Sequence, residues 1–372
     1  MKNVAVIFGG KSVEHDISVI TGLQAMSFFP KEYNLIPLLI DQSGMIYYGK
    51  ELLKKENYLD ISSIRKKLFQ VGFNFGNQNI FLIKKNKIAK QIYLDCALLC
   101  THGHGGEDGS LQGVLEMANI PYTSCGVGSS VLSINKILSK IMFEHFSIPS
   151  PTYVYFNKCE YDKNNKQIEN EIKEKIGYPV IVKPSCLGSS VGIKICEDEK
   201  MLNDAIKHAL MFDESVLVEK FLDGSLEFSQ AVLKIDDKLY FSKVSKVNKG
   251  KMFSFDEKYI QEKRQNSEIE SDEKIIKKIK NLSALIYQKF GCNGVVRIDY
   301  LMQNEKLYVN EINSIPGSLA FNLFDTNFSG LIKMLVEDAI KTNSEKQKIE
   351  YSFNSDAIKT YLESAKNYKT GK

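Results

Sequence analysis

Arg297, Asp299, Glu311 and Asn313 are the side chains in this sequence best placed to do chemistry, and their spacing brings them together. The stretch 295–313 alternates apolar and polar residues on either side of a polar turn, Gln303 to Lys306, and so reads as a β-hairpin. Side chains two apart share a face of a strand. Arg297 and Asp299 therefore share one face of the first strand, and Glu311 and Asn313 one face of the second. With the turn centred near Glu305, Asp299 faces Glu311 and Arg297 faces Asn313. Three oxygen donors beside a guanidinium suit magnesium, a hard cation that usually keeps waters and substrate phosphates as ligands. The same residues would also serve as a surface ladder of cross-strand ion pairs. The loop that follows, Ser314-Ile315-Pro316-Gly317, favours a binding site, because glycine lets backbone N–H groups approach a ligand closely.

Four other segments carry candidate chemistry. Gly9-Gly10-Lys11-Ser12-Val13-Glu14-His15 is a glycine turn between a strand and a helix. It lacks the G-x-G-x-x-G spacing of a dinucleotide site. Glu14, near the loop-to-helix junction, could meet a ligand amine, or could simply be an acid favoured by the helix dipole. His102-Gly103-His104-Gly105-Gly106-Glu107-Asp108-Gly109 directly follows an apolar strand, where ligands bind in open α/β sheets. Lys183-Pro184-Ser185-Cys186-Leu187-Gly188-Ser189-Ser190-Val191-Gly192 describes a flexible loop whose N–H groups and lysine would bind phosphates, though it is not a Walker A motif. Val216 to Leu222, followed by Glu227, could offer an adenine its apolar slot, and is otherwise an edge strand of alternating polarity.

The elements that must position these groups follow from the hydrophobic pattern. Val4 to Phe8, Leu35 to Ile40 and Ala97 to Cys100 read as buried strands, with a helix over Ile17 to Phe29, which predicts a parallel α/β sheet. Residues 45–95 are less regular, with an added hairpin of Ile80 to Ile83 and Ile88 to Tyr93. Ser133 to Phe146 reads as one helix, and Pro149 to Pro151 as a boundary. Val180 to Lys183 and Val191 to Ile195 are strands, 199–211 a helix, and Val216 to Phe221 a strand. Leu226 to Val232 and Leu239 to Val244 continue an antiparallel sheet. The polar stretch 248–271 reads as a lid, 272–290 and 329–341 as helices, and the segment from about Thr342 as a polar, peripheral tail.

Composition excludes several classes. The chain has 372 residues, enough for two or three domains, and a net charge of +4 that implies neither a nucleic-acid nor a membrane partner. No apolar run is long enough to span a bilayer and no secretory leader is read at the N-terminus, so a cytoplasmic location is expected. The seven cysteines form no Cys-x-x-Cys pair, which speaks against zinc ribbons and disulfide frameworks. Cys96 and Cys100 read as core.

Taken together, G-G-x-S-x-E-H, H-G-x-x-G-E-D-G-x-x-Q-G, V-K-P-S-x-x-G-S-S-V-G, E-K-x-L, R-I-D and N-E-x-N-x-x-P-G resemble the D-alanine–D-alanine ligases of the ATP-grasp superfamily, over roughly residues 3–340. The resemblance implies an α/β and α+β, three-domain ATP-grasp fold: an N-terminal parallel α/β domain over 1–125, a central subdomain over 126–222, a C-terminal subdomain over 223–345 with lid 248–271, and a polar tail over 346–372. It implies that Lys136, Lys183 and the Ser189-Ser190 loop meet phosphates and that Glu219, the Lys220-Phe221 backbone and Leu222 border the adenine. Glu227 meets the ribose. Asp299, Glu311 and Asn313, beside Asn310, hold two Mg²⁺ (or Mn²⁺) ions. Glu14 holds the ammonium of the first D-alanine, His102 is a further substrate-binding residue from the N-terminal domain, and Asn322, beside Leu323, meets the second. Arg297 and the Gly317 N–H steady the oxyanion. Ser189, Lys258 and Tyr259 complete the site, the last two from the lid. The implied reaction joins two D-alanines through a D-alanyl phosphate at the expense of ATP, for peptidoglycan precursor synthesis, in a homodimer.

The sequence departs from the family pattern in places. Asn135 stands where an acid often precedes the phosphate lysine, Cys186-Leu187 replaces more polar residues, and Asn322 stands where a serine or threonine is common. Rival readings are a D-alanine–D-lactate ligase, where the lid often carries histidine in place of Tyr259, and another ATP-grasp carboxylate–amine ligase, which would not need the Glu14 and His102 motifs. A nucleotide-binding regulator would be expected to lack Arg297 or a metal ligand, and an NAD enzyme would need different glycine spacing.

Overall fold

The structure, a computed structural model, describes residues 1–247, 267–350, 352–353 and 355–369. Its first sheet begins with β1 (Lys2–Gly9), helix α1 (His15–Ser27) and β2 (Tyr33–Ile40), with β1 and β2 parallel. Strands β3 (Ile46–Tyr48), β4 (Phe69–Asn74), β5 (Asn79–Lys84) and β6 (Lys87–Tyr93) add antiparallel beyond β2, with a one-turn helix α2 (Ile61–Ile64) between β3 and β4. Strand β7 (Cys96–Leu99) then pairs parallel on the far side of β1. The order is β6-β5-β4-β3-β2-β1-β7, so the parallel part expected from the sequence is the β2-β1-β7 half of a mixed sheet. The irregular region 45–95 thus holds two more strands than the hairpin read there. β3 is only three residues long and half-buried, too short to show a period.

Helices α3 (Ser110–Met117), α4 (Val127–Ile134) and α5 (Lys136–His145) lead to a second, antiparallel sheet. It comprises β8 (Tyr153–Asn157), β9 (Val180–Pro184), β10 (Lys194–Cys196) and β11 (Ser215–Lys220) in the order β10-β9-β11-β8, with α6 (Lys158–Lys175) and α7 (Glu199–Ala209) against it. The strand expected from Val191 begins only at Lys194, because Gly192 turns with φ +74°. The third sheet is antiparallel, with β12 (Leu226–Ile235), β13 (Lys238–Val247), β14 (Ser267–Ile269), β15 (Val296–Gln303) and β16 (Lys306–Asn313) in the order β14-β13-β12-β15-β16. Helix α8 (Glu273–Lys289) packs on it. Residues 267–269, assigned to the lid from sequence, are therefore the edge strand β14, while 248–266 lie outside the described residues.

Helix α9 (Phe328–Lys346) continues past the expected end at residue 341, and a further helix, α10 (Ala357–Lys369), lies within the expected polar tail. Leu331, Ile332, Leu335 and Val336 of α9 join the core formed by β1, β2 and β7. Phe143 of α5 and Ile148 join the core of the third sheet rather than the second. Cys96 and Cys100 are fully buried, as expected.

Gly9 ends β1 with φ +85°, and a Cβ there would sit 2.2 Å from the Ile40 carbonyl oxygen. The turn into α1 therefore needs glycine. Gly9→Ala is expected to lower unfolding stability by more than about 1 kcal/mol from the left-handed backbone, before the contact with Ile40 is counted. Urea denaturation reads this directly, and an unchanged midpoint contradicts it.

Candidate active site

The glycine–serine loop is anchored from both sides. Helices α4 and α5 are separate because Asn135 is extended (φ −78°, ψ 103°) and caps α5, its Oδ1 accepting the Leu138 N–H at 3.0 Å. The single helix read over 133–146 is therefore broken, and an asparagine at this position serves as an N-cap. Ser185 Oγ donates to the same Asn135 oxygen at 3.2 Å. The Lys136 N–H donates to the Ser185 carbonyl at 2.8 Å, and Lys136 Nζ to the Leu187 carbonyl at 2.5 Å. On the other side, Asp213 accepts the Cys186 N–H at 2.7 Å. Ser189 and Ser190 then turn with φ 54° and 61°, and Ser189 Oγ donates to Glu14 Oε1. Gly188 lies so close that a Cβ would sit 2.8 and 2.9 Å from the two Glu14 oxygens.

Beneath this loop lies a buried charge cluster. Glu219, on β11 and 1% exposed, has Lys140 Nζ at 2.5 Å from one oxygen and Lys183 Nζ at 2.5 Å from the other. Burial alone would raise the Glu219 carboxyl, but the two ammonium groups outweigh it and hold it at about 2. Burial pushes the Lys140 ammonium down, with Glu219 opposing. Lys183 Nζ also donates to Asn310 Oδ1 at 3.2 Å, which ties β9 to β16. Lys136 and Lys140, one turn apart on α5, thus meet the loop and the buried acid from one helix face.

The hairpin has the register expected from its sequence, Arg297 opposite Asn313 and Asp299 opposite Glu311, with a bulge after Asp299. Its turn is made by Asn304 and Glu305, both left-handed (φ 49° and 62°), as a tight two-residue hairpin requires. Asp299 is held by Arg297 through Nε at 2.9 Å and Nη2 at 2.8 Å, by Ser229 Oγ at 2.6 Å and by Asn313 Nδ2 at 3.0 Å. Glu311 Oε2 lies 4.0 Å from Lys136 Nζ.

The N-terminal loops close the far wall. Glu14 is 7% exposed and stands at the start of α1. Glu107 accepts the Gly103 N–H at 2.9 Å and the Ile315 N–H at 3.0 Å. Burial first, and then the Glu14 charge, raise the Glu107 carboxyl to about 8. His102 is buried, with Nε2 2.9 Å from Thr21 Oγ1, and burial lowers it to about 4, so it is neutral near pH 7.

One narrow cleft is lined by Glu14, Glu107, Ser133, Lys136, Gly188, Glu311, Asn313 and Ser314, among others. Ser314 is buried there and its hydroxyl has no hydrogen-bond partner among the described residues. Two carboxylates and an amide oxygen on one face are a donor set suited to a hard divalent cation. Among the described residues no group of three or more His, Cys, Asp or Glu is arranged to hold a metal ion, so the donor set here depends on the Asn313 amide as well. Lys220 Nζ donates to the Gly177 and Tyr178 carbonyls at 3.2 and 3.0 Å. The Phe221 N–H donates to the Pro179 carbonyl at 3.2 Å, Leu222 and Leu323 are buried, Glu227 is half-buried on β12, and Asn322 is exposed. Gly317 is half-buried at the start of a 3-10 segment, Gly317–Leu323. Lys258 and Tyr259 lie outside the described residues. Sequence reasoning missed Lys140, Asp213 and any role for Glu107. The clue to Lys140 was its spacing of four from Lys136.

The chain matches two family models, D-ala D-ala ligase N-terminus over residues 3–125 and D-ala D-ala ligase C-terminus over residues 142–339. It is 36% identical to a D-alanine–D-alanine ligase of Thermosipho africanus, over 98% of this chain and 100% of that protein. It is 31% identical to one of Acetivibrio thermocellus, over 93% and 98%. Among solved structures it resembles the D-alanine–D-alanine ligase from Helicobacter pylori (TM-score 0.75, 27% identity, 91% of this chain and 98% of that one). It also resembles a D-Ala:D-Ser ligase from Enterococcus faecalis (TM-score 0.77, 28% identity, 91% and 99%).

Lys140→Met leaves Glu219 with one cation instead of two in a dry environment. The variant is expected to lose about 3 kcal/mol of unfolding stability, because removing one partner strands buried charge. Adding Glu219→Gln should recover part of that loss. Wild-type stability in Lys140→Met would show that the two groups do not share charge.

Proposed function

The chain belongs to the D-alanine–D-alanine ligase family, and we infer that its cleft joins two D-alanines into D-alanyl-D-alanine, with ATP converted to ADP and phosphate. The carrying observation is the convergence of Glu14, Lys136, Gly188, Glu311 and Asn313, from four distant segments, on one cleft. In the proposed first step the carboxylate of one D-alanine attacks the γ-phosphorus of ATP, and ADP departs, leaving a D-alanyl phosphate. That step calls for alignment and charge neutralisation more than covalent help. Lys136, Lys183 and the N–H groups around Ser189 and Ser190 would supply both, with Lys183 aimed by its bond to Asn310 and its pairing with Glu219. The enclosed Glu219 carboxylate would act on the nucleotide through Lys183, while the Lys220-Phe221 backbone, Leu222 and Glu227 would border adenine and ribose.

The family uses ATP with a divalent metal. We propose that Asp299, Glu311 and Asn313 hold two Mg²⁺ or Mn²⁺ ions. Such ions supply neutralisation of phosphate charge. Glu14 would bind the ammonium of the first D-alanine, with Ser189 fixing the carboxylate and His102 behind it. In the second step the amine of another D-alanine attacks the acyl carbon, and phosphate leaves with the C–O bonding electrons. The oxyanion between these events would face Arg297 and the Gly317 N–H. A guanidinium carries five N–H groups, of which two lie on Asp299, and that pairing fixes its plane. Asn322 and Leu323 would border the second D-alanine, and Lys258-Tyr259 would close the site. The wider reading is a cytoplasmic homodimer serving peptidoglycan precursor synthesis, built as the three domains read from the sequence. No described helix is long and apolar enough to cross a membrane.

Phosphate release with ATP, Mg²⁺ and D-alanine, against L-alanine, tests the activity. Adding D-lactate or D-serine as second substrate tests the choice of nucleophile, and a preference for D-lactate near neutral pH would replace the dipeptide reading. Arg297→Ala and Glu311→Ala are each expected to cut turnover about 100-fold or more while the protein stays folded, and wild-type rates in either would overturn the assigned roles. Gly188→Ala should push the Glu14 carboxylate aside and raise KM for the first D-alanine more than KM for ATP. The opposite pattern would separate Glu14 from that substrate.

A further inference from the structure

The loop carrying Gly317 is gripped at both ends by the N-terminal part of the chain. At its start, the Ile315 N–H donates to Glu107 at 3.0 Å, and the Ile315 backbone, acting on the His102 ring, opposes the lowering of that ring by burial. At its end, the Ser318 N–H donates to Thr21 Oγ1 at 3.2 Å, and Ser318 Oγ donates to Gln24 Oε1 at 2.5 Å. Thr21 is 1% exposed and its hydroxyl also meets His102 Nε2 at 2.9 Å. A chain of contacts results: the Ser318 N–H donates to Thr21 Oγ1, Thr21 Oγ1 shares a hydrogen bond with His102 Nε2, and the His102 ring lies against the Ile315 backbone. It closes a ring around Pro316 and Gly317.

What the ring holds is unusual backbone. Ser318, Leu319 and Ala320 all take left-handed angles, with φ 52°, 50° and 51°. Non-glycine residues avoid this region and keep it only where the surroundings over-determine it. The three residues directly follow Gly317, so they hold the chain on the far side of that donor while Ile315 is held on the near side. They also lead into Asn322 and Leu323.

We propose that Thr21 is a positioning residue for ligation: through Ser318 and His102 it fixes the direction of the Gly317 N–H and the approach of the second amino acid. This rests on the ligase reading of the cleft. Thr21 touches no reacting atom, and the nucleotide-binding groups on α5, β9 and β11 are outside the ring. Its removal therefore acts on one substrate more than the other.

The test is steady-state kinetics on the full chain with ATP, Mg²⁺ and D-alanine. Thr21→Val keeps the shape and deletes the hydroxyl. It is expected to lower kcat and raise KM for the second D-alanine, together about 10- to 100-fold in kcat/KM, as for a small misplacement of a catalytic group. KM for ATP should stay near the wild-type value, and Thr21→Ser should recover most of the loss. Should Thr21→Val fold poorly, Ser318→Ala, which removes only the bond to Gln24, is expected to show the same split more weakly. An active wild type with wild-type kinetics in Thr21→Val overturns the inference alone. So does an equal decline for ATP and D-alanine that serine does not rescue. A wild type that makes no dipeptide overturns the ligase reading, and this inference with it.

Discussion

The register of β15 against β16 governs where Arg297, Asp299, Glu311 and Asn313 point. Side chains alternate along a strand, so a slip of one residue would turn Arg297, Asp299, Glu311 and Asn313 inward and bring Ile298, Tyr300 and Ile312 out. Tyr300 and Ile298 fill the core of the third sheet, which makes such a slip costly. The two left-handed turn residues, Asn304 and Glu305, fix the same register from the other end. The core and the turn thus agree, and the polar face follows from both.

Around that face the chain keeps its charges in small closed sets rather than isolated ones. Glu219 serves Lys140 and Lys183, and Asp299 serves Arg297. A lysine in contact with a fixed acid has few positions open to it, which keeps its ammonium in place before any phosphate arrives. A site arranged in this way needs little reorganisation when substrate charge develops.

Much of this was legible in the sequence where one element carries its own signal. The hairpin register, the strand β1 with α1, and the glycine–serine loop each follow from a short stretch of alternation or from glycine content. What could not be read were partners brought together by the fold. Lys140 sits on a helix whose break at Asn135 is set by a side-chain cap, and its acid lies 79 residues further on. Glu107 and Thr21 matter because a loop some 200 or 300 residues later comes back to them. The weak strands β3 and β4 are too short or too mixed in polarity to stand out, and they form because β2 offers an edge.

Helix α9 belongs to the core of the first sheet, although nearly the whole chain lies between them. During vectorial synthesis β1, β2 and β7 leave the ribosome early, but the apolar surface on which Leu331, Ile332, Leu335 and Val336 settle stays uncovered until α9 is made. The nascent chain must carry that exposed patch for most of its translation, so the first unit begun is among the last to be sealed.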